Sequence, residues 1–208
     1  MAKVLLFGGS FDPIHFGHLI IGRYAAETLG ISRVILLPGA RPPHKRRRRL
    51  APARDRLAMC RLAIAGDPQF AVDEWELQQR GPSYTLRTVQ HFRGRLPADT
   101  EVCWLVGMDS LVELGTWFHA AELVECCTIV TAARPGYERP NLSGLRKVLT
   151  AAQVTKLKRH IVESPRIDIS ATDIRARVLA GLSIRYLVPE AVRRYIAAQG
   201  VYRRHSVR

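Results

Sequence analysis

The chain has 208 residues, of which 47% are hydrophobic and 24% charged, and this composition supports one globular domain over residues 1–208. Thirty-two Lys and Arg against eighteen Asp and Glu give a formal net charge of +14, which favours polyanionic ligands. No apolar run approaches the roughly 20 residues of a membrane span, so no membrane association is expected. The four cysteines form no CxxC pair, which is typical of reduced thiols in a cytoplasmic protein.

Strand-like and helix-like segments alternate along the chain. Apolar runs predict strands at residues 3–7, 33–37, 70–72, 101–106, 127–131 and 160–162. Helical spacing predicts helices at residues 16–29, 54–65, 84–93, 110–124, 171–180 and 189–198. The alternation predicts an α/β fold: a Rossmann-like, doubly wound, mostly parallel sheet with helices on both faces and a C-terminal helical part. Ligands then bind at the carboxyl ends of the strands.

The first predicted strand leads into the segment GGSFDPIHFGH at residues 8–18. Its first two glycines lack side chains where backbone must approach a ligand, such as a phosphate. If a helix begins near Phe16, His15 and His18 lie at its N-terminus, where the helix dipole favours an anion. Gly17 between them then leaves room for that phosphate. Two histidines also suit a metal pair, but no further Cys or His lies nearby at ligand spacing.

Two later loops offer polar groups to the same edge of the sheet. The segment PPHK at residues 42–45 follows the second strand, and Lys45 is either a cation for phosphate or part of a solvated connector. The arginine run at residues 46–49 is typical of a solvated, mobile stretch. The segment GPSYT at residues 81–85 precedes a helix, where Ser83 is either a simple N-cap or part of an anion site.

Three further segments carry candidate contacts. Asp109, after the strand that ends at Gly107, either accepts from ribose hydroxyls or caps a helix. Trp117 is either a core tryptophan or a stacking residue. The segment ISATDIR at residues 169–175 forms either a phosphate site or an ordinary capped helix with a surface arginine, Arg175.

Taken together, these segments resemble a known family. GGSFDPIHFGH is similar to the signature of the HxGH nucleotidyltransferases, and the Ser-Tyr-Thr, Gly-x-Asp…Trp and Arg-Pro-Gly-Tyr segments narrow the resemblance to the bacterial nicotinate-nucleotide adenylyltransferases. The resemblance spans residues 3–200. It implies that ATP and nicotinate mononucleotide are joined into nicotinate adenine dinucleotide and pyrophosphate, by in-line attack without a covalent intermediate. It also implies Mg²⁺ that is carried with ATP, and no metal held by the protein alone.

The resemblance assigns roles to individual residues. Catalytic roles are implied for His15, His18, Lys45 and Arg175. Contacts with ATP are implied for Gly8, Gly9, Ser10, Phe11, Gly107, Asp109, Ile169, Ser170 and Thr172. Contacts with the mononucleotide are implied for Ser83, Tyr84, Thr85, Trp117 and Arg134. Ala171 stands where the family usually has a second serine, which removes one hydroxyl but leaves the backbone donors.

Other functions remain open at this stage. A sister transferase acting on phosphopantetheine or a polyol phosphate is opposed by Ser83, Tyr84, Thr85 and Trp117. A nucleotide sensor or nucleic-acid-binding protein is opposed by the complete set of basic catalytic candidates and by the lack of an aromatic-rich basic motif. A synthetase-like domain needs a tRNA-binding appendage for which the chain has no room. A homo-oligomer is compatible with the sequence, which does not determine oligomeric state.

Overall fold

A single sheet organises the computed structural model, which describes residues 2–40, 50–133 and 140–203. In these ranges the sheet has six strands, all paired in parallel, in the order β3-β2-β1-β4-β5-β6. They are β1 (Lys3–Gly9), β2 (Arg33–Pro38), β3 (Phe70–Val72), β4 (Glu101–Gly107), β5 (Thr128–Ala133) and β6 (Ile161–Glu163). The strand order reverses between β1 and β4, and in such sheets the crevice at the reversal holds the ligand. The predicted strands and the Rossmann-like arrangement are confirmed.

Helices connect the strands and cover the sheet. Those that the structure describes are α1 (Phe16–Thr28), α2 (Ala53–Ala63), α3 (Trp75–Gln78), α4 (Thr85–Arg95), α5 (Met108–Val112), α6 (Ala120–Cys126), α7 (Ala151–Arg159), α8 (Ala171–Leu179) and α9 (Glu190–Gln199). Short 3₁₀ turns lie at Leu114–Thr116 and Ser143–Lys147. Within the described ranges, no helix has both the length and the apolar character needed to cross a membrane.

The prediction of one helix over residues 110–124 is wrong. The segment is divided into α5, a 3₁₀ turn and α6. Trp117 has an extended backbone and His119 is left-handed at φ 50°, so the chain turns twice between the two helices. Helical spacing of apolar residues did not reveal this break, because both short helices bury their apolar residues against the same core.

Helix α7 was not predicted from the sequence. Its buried face consists of Gln153, Val154 and Leu157, and its other residues are two alanines, a threonine, two lysines and an arginine. A capping box marks its start, because Thr150 accepts from the Gln153 backbone N–H at 3.2 Å while the Gln153 side chain accepts from the Thr150 N–H at 2.9 Å. Thr-x-x-Gln at residues 150–153 is therefore the sequence pattern from which the start of this helix could have been predicted.

The core lies in two layers, one on each face of the sheet. Along β1, Leu6 belongs to the layer that also contains residues of α4, α6 and α7, whereas Leu5 belongs to the layer of α1, α2, α8 and α9. This alternation follows from the two-residue period of a strand. All four cysteines are free, and three of them are buried in these layers. Helices on both faces, including the C-terminal pair, agree with the predicted fold class.

Candidate active site

A cavity of about 310 Å³ lies at the carboxyl ends of the central strands. Its walls come from the end of β1 and the loop that follows, the end of β4, the turn at residues 83–85 and the segment around residues 110–118. Gly39 after β2 and Glu76 of α3 complete the wall. The cavity is therefore at the strand-order reversal, where the sequence placed the site.

The two histidines of the predicted motif stand together at the start of α1. His15 is the N-cap residue, and its backbone N–H donates to Nδ1 of His18 at 3.3 Å. The imidazole rings stack with 3.7 Å between their centroids and 26° between their planes. A Cβ on Gly17 would lie 3.0 Å from Nδ1 of His15, so this glycine makes room for the imidazole. The His15 ring therefore gives a second reason for this glycine, besides the expected approach of a phosphate.

Burial makes His15 a neutral imidazole in the free protein. The residue is only 5% exposed, and this burial lowers its pKa to about 4. A neutral ring can stack on His18 without like-charge repulsion. His18 is half-buried, and its ring lies edge-on to Phe11, with 5.1 Å between the centroids.

The glycines at the end of β1 are required by aromatic neighbours. A Cβ on Gly8 would lie 2.5 Å from the Trp104 ring, and one on Gly9 would lie 2.9 Å from the Phe11 ring. Both glycines and Ser10 line the cavity. The expected reason, close approach of a phosphate, is therefore incomplete: the rings alone exclude side chains here.

Arg175 joins the last motif to the first, although the two are 163 residues apart. Its guanidinium donates to the backbone carbonyl of Asp12 at 2.5 Å and to the Thr172 hydroxyl at 3.1 Å, and it lies 3.8 Å from the Asp12 carboxylate. Ser170, preceded by the half-buried Ile169, caps α8 by accepting from the Asp173 N–H at 3.1 Å. The N-terminus of α8 thus lies against the loop that carries the histidines.

Sequence reasoning missed Arg56, which is 2% exposed. This guanidinium donates to the carbonyls of Ser10 and Gly39, both at 2.8 Å, and to that of Ala51 at 3.1 Å. It therefore ties the loop after β1 to the loop after β2. The sequence pattern that could have revealed Arg56 is its position on the same helical face as Met59 and Cys60, which are both buried.

Asp12 provides the matching negative charge under the loop. Its Oδ1 accepts from the Tyr202 hydroxyl at 2.8 Å and from the Ala51 N–H at 3.2 Å. The carboxylate is buried, and burial together with Asp12 raises the pKa of Tyr202 well above its usual range. The C-terminal turn thereby supports the same loop that Arg56 and Arg175 hold.

One wall of the cavity is aromatic. Tyr84 stacks on Phe118 with 4.4 Å between ring centroids, and the Arg87 guanidinium lies 5.4 Å from the Tyr84 ring. Trp117 is half-buried and lines the cavity beside Phe118, which the sequence analysis did not identify. Ser83 and Thr85 line the same wall. The Ser83 hydroxyl accepts from the Ala40 N–H at 3.1 Å.

The remaining predicted residues are distributed differently. Gly107 is the N-cap of α5 and lines the cavity, with open space around the position of a Cβ. Asp109 is exposed in the first turn of α5 and is not part of the cavity wall. Lys45 and Arg134 lie outside the described residues, as does the arginine run at 46–49. Within the described part of the chain, no three His, Cys, Asp or Glu side chains group as metal ligands.

Comparison with known proteins places these features in context. The model of the cytidylyltransferase-like family matches residues 6–177. A probable nicotinate-nucleotide adenylyltransferase of Thermomicrobium roseum is 40% identical over 203 residues, which cover 98% of this chain and 92% of the relative. A probable nicotinate-nucleotide adenylyltransferase of Serratia proteamaculans is 42% identical over 208 residues, which cover 95% of this chain and 94% of the relative.

A solved structure has the same fold. The Plasmodium falciparum nicotinic acid mononucleotide adenylyltransferase, complexed with NaAD, superposes with a TM-score of 0.74 at 14% identity. The superposition covers 97% of this chain and 98% of the other.

Proposed function

The chain belongs to the cytidylyltransferase-like family, and we propose how its residues carry out a nicotinate-nucleotide adenylyltransferase reaction. The enzyme joins nicotinate mononucleotide and ATP into nicotinate adenine dinucleotide and pyrophosphate, a step of NAD biosynthesis. One observation carries the assignment of residues: Arg175, which also donates to Thr172, bonds to Asp12 of the histidine loop, beside a cavity with an aromatic wall.

The chemical step is a direct in-line transfer. An oxygen of the mononucleotide phosphate attacks the α-phosphorus of ATP, and the bond from that phosphorus to the β-phosphate oxygen breaks, so that pyrophosphate leaves with the electron pair. No covalent nucleophile is needed, because such transfers depend mainly on positioning and charge stabilisation. His15 and His18 donate hydrogen bonds to phosphate oxygens on which charge develops. Their stacking and the N-cap geometry hold both rings in place before substrate arrives.

The leaving group is held by cations. Arg175 offers a guanidinium at the N-terminus of α8, where Ser170 and Thr172 add hydroxyls and the helix dipole favours negative charge. Lys45 is proposed as the second cation. Gly8, Gly9, Ser10 and Phe11 supply the loop backbone along the nucleotide, and Gly107 and Asp109 the contacts at the end of β4.

Mg²⁺ enters with ATP as part of the substrate. The histidine loop brings imidazoles and guanidiniums together, and its carboxylate, Asp12, is engaged by Tyr202 and Arg175. This donor set suits phosphate oxygens, which together with water are the ligands that Mg²⁺ prefers. The ion then neutralises charge on the phosphates that the protein holds.

The aromatic end of the cavity accepts the pyridine ring. Trp117 provides a flat surface for stacking, and the Tyr84–Phe118 pair closes the wall next to it. The turn at Ser83 and Thr85, at the start of α4, favours an anion such as the nicotinate carboxylate. Arg134 is proposed to contact the same substrate.

Release of pyrophosphate tests the proposal. Purified protein receives MgATP with nicotinate mononucleotide, nicotinamide mononucleotide or phosphopantetheine in parallel reactions. We expect release with nicotinate mononucleotide well above the other two. Release only with phosphopantetheine would assign the chain to a sister transferase. No release by folded protein would favour a nucleotide sensor or a nucleic-acid-binding role.

A further inference from the structure

Glu76 is a buried carboxyl group in the cavity wall that the mechanism above does not use. It lies on the short helix α3, is only 5% exposed and lines the cavity next to Ser83 and Tyr84. The Thr88 hydroxyl donates to its Oε1 at 2.7 Å. Burial raises the pKa of Glu76, while hydrogen bonds from Thr88 and Ser83 act in the opposite direction. A buried carboxyl beside a site for an anionic ring substituent requires an explanation.

Ser83 is engaged by the protein on both sides. Its oxygen accepts from the Ala40 N–H at 3.1 Å, and its hydroxyl hydrogen bonds to the Glu76 side chain. A hydroxyl has one proton to donate, so the proton given to Glu76 is not available to a substrate carboxylate. Ser83 therefore connects the end of β2 to α3. The structure gives it a supporting role in addition to the contact expected from the sequence.

The same carboxyl holds α4 from two positions. Ser83 stands just before the helix and Thr88 lies in its first turn, so Glu76 bonds to residues on both sides of the helix start. Between them, Tyr84 and Thr85 are the N-cap and first residue of an eleven-residue helix that begins at the cavity. The N-terminus of such a helix carries partial positive charge and backbone donors for an anion.

We propose that Glu76 is a positioning residue that fixes the start of α4, through Ser83 and Thr88, for binding the carboxylate of the mononucleotide. The proposal rests on the function stated above, because it takes nicotinate mononucleotide as the ligand. It assigns substrate specificity to a residue that does not itself contact the reacting phosphates. Glu76 then acts on binding of the pyridine end and leaves ATP binding unaffected.

The charge of Glu76 makes the proposal distinguishable from a simple electrostatic effect. If Glu76 acted only as a negative charge near the pocket, Glu76→Gln would tighten binding of the acid, because repulsion would be removed. If Glu76 positions the helix, the same change weakens binding of the acid, because an amide cannot accept from both hydroxyls with the same oxygen geometry. The two explanations therefore predict opposite changes in affinity for the mononucleotide in Glu76→Gln, a variant whose side chain has nearly the same size.

The experiment compares Glu76→Ala, Glu76→Gln and Ser83→Ala with the wild type. For Glu76→Ala we expect KM for nicotinate mononucleotide to rise about tenfold, with KM for ATP and kcat changed less than about twofold. Glu76→Gln should raise the same KM by about three- to fivefold, since one of the two hydrogen bonds survives. Combining Glu76→Ala with Ser83→Ala should raise it little beyond the larger single effect, because the two residues act together.

Glu74→Gln is the matched control. Glu74 lies two residues away in the chain, outside the cavity wall, and its side chain, which is 41% exposed, accepts from Arg61 at 2.8 Å. It should leave both KM values unchanged. Calorimetric titration of the mononucleotide into wild type and Glu76→Ala provides a readout that needs no turnover.

Several results would overturn the inference. The first is equal affinity of wild type and Glu76→Ala for the mononucleotide, and the second is tighter binding of the mononucleotide by Glu76→Gln. The third is a change of similar size in both KM values and in kcat. The fourth is the absence of calorimetric binding of the mononucleotide to the wild type. Failure of the wild type to form the dinucleotide, with binding still weakened in Glu76→Ala, would overturn the proposed function alone. If Glu76→Ala does not fold, Glu76→Gln carries the same comparison.

Discussion

The two regions of the proposed site are built in different ways. At the proposed phosphate end, which adjoins the cavity, the histidines and glycines come from one continuous segment, and the buried side chains of Asp12 and Arg56 bind that segment. At the proposed pyridine end, the cavity wall is assembled from α3, the start of α4 and the segment containing Trp117 and Phe118. The phosphate end is held by buried charged groups bonded to loop backbone, whereas the pyridine end combines stacked rings with the buried hydrogen bond between Thr88 and Glu76.

This difference has an energetic consequence. A buried guanidinium whose removal leaves several carbonyls unpaired is costly to lose, whereas a stacked ring at the cavity wall contributes mainly its contact with the ligand. Variants at the phosphate end should therefore reduce stability and turnover. Variants at the pyridine end should change the binding of one substrate.

Loss of Arg56 is expected to have the largest effect. Arg56→Met removes the guanidinium donors to the carbonyls of Ser10, Gly39 and Ala51 and takes a counter-charge from Asp12. We expect the free energy of unfolding to fall by about 3–5 kcal/mol, measured by urea denaturation. Arg54→Met is the control, because the Arg54 side chain is on the same helix but 87% exposed. A loss below about 1 kcal/mol for Arg56→Met would mean that the two loops do not depend on it.

Stability should also depend on the protonation of His15. Its folded-state pKa of about 4 lies below the ordinary value of 6.5, so the unfolded chain binds more protons between these pH values. The contribution of neutral His15 to the free energy of unfolding is therefore complete above pH 6.5 and declines as the pH falls towards 4. The decline attributable to this residue is up to about 3 kcal/mol.

The measurement is the free energy of unfolding from pH 7 to pH 4 in the wild type and in His15→Gln. We expect a flatter dependence in the variant, because its side chain does not titrate. Parallel curves would indicate that His15 is not held in its neutral form.

His18 tests the chemical role of the phosphate end. His18→Ala removes one donor to the developing charge, and we expect kcat to fall by about 10²-fold or more while the fold is retained. Pyrophosphate release gives the rate, and circular dichroism reports the fold. His160→Ala is a suitable control, because His160 bonds to the Lys156 carbonyl at the C-terminus of α7. Turnover near that of the wild type would contradict the assigned role.

Trp117 tests the pyridine end and should give the smallest effect. Trp117→Ala should raise KM for nicotinate mononucleotide by about tenfold, because ring stacking contributes about 1–3 kcal/mol per base. KM for ATP should change much less. Trp75→Ala serves for comparison, since Trp75 stacks on His91 and is not part of the main cavity wall. An unchanged KM for the mononucleotide would make Trp117 a core residue.

Local patterns predicted much of this molecule. The strands and most helices followed from apolar runs and helical spacing, because β1, β2, β4 and β5 are buried on both faces of the sheet. The segment at residues 8–18 could be interpreted as a candidate phosphate site for a similar reason, since its strand, glycines and helix start are consecutive in the chain.

The errors have a physical cause as well. The helix expected over residues 110–124 is broken at Trp117 and His119, where tertiary packing determines the backbone. The explanation of the glycines at 8, 9 and 17 through a ligand was incomplete, because the rings of Trp104, Phe11 and His15 also crowd the position of a Cβ there. These rings approach the glycines only once the chain has folded, so the sequence could not reveal the short distances between them.

The sequence by itself determined the order of the elements, the reaction class implied by its motifs and the identity of the two histidines, because each depends on residues that are close in the chain. Only the tertiary structure placed Arg175 against Asp12, Arg56 beneath two loops and Glu76 between Ser83 and Thr88. Each of these contacts joins segments that are separated in sequence and meet through burial in a folded core. Their energies come from desolvation and hydrogen-bond geometry, which exist only in three dimensions.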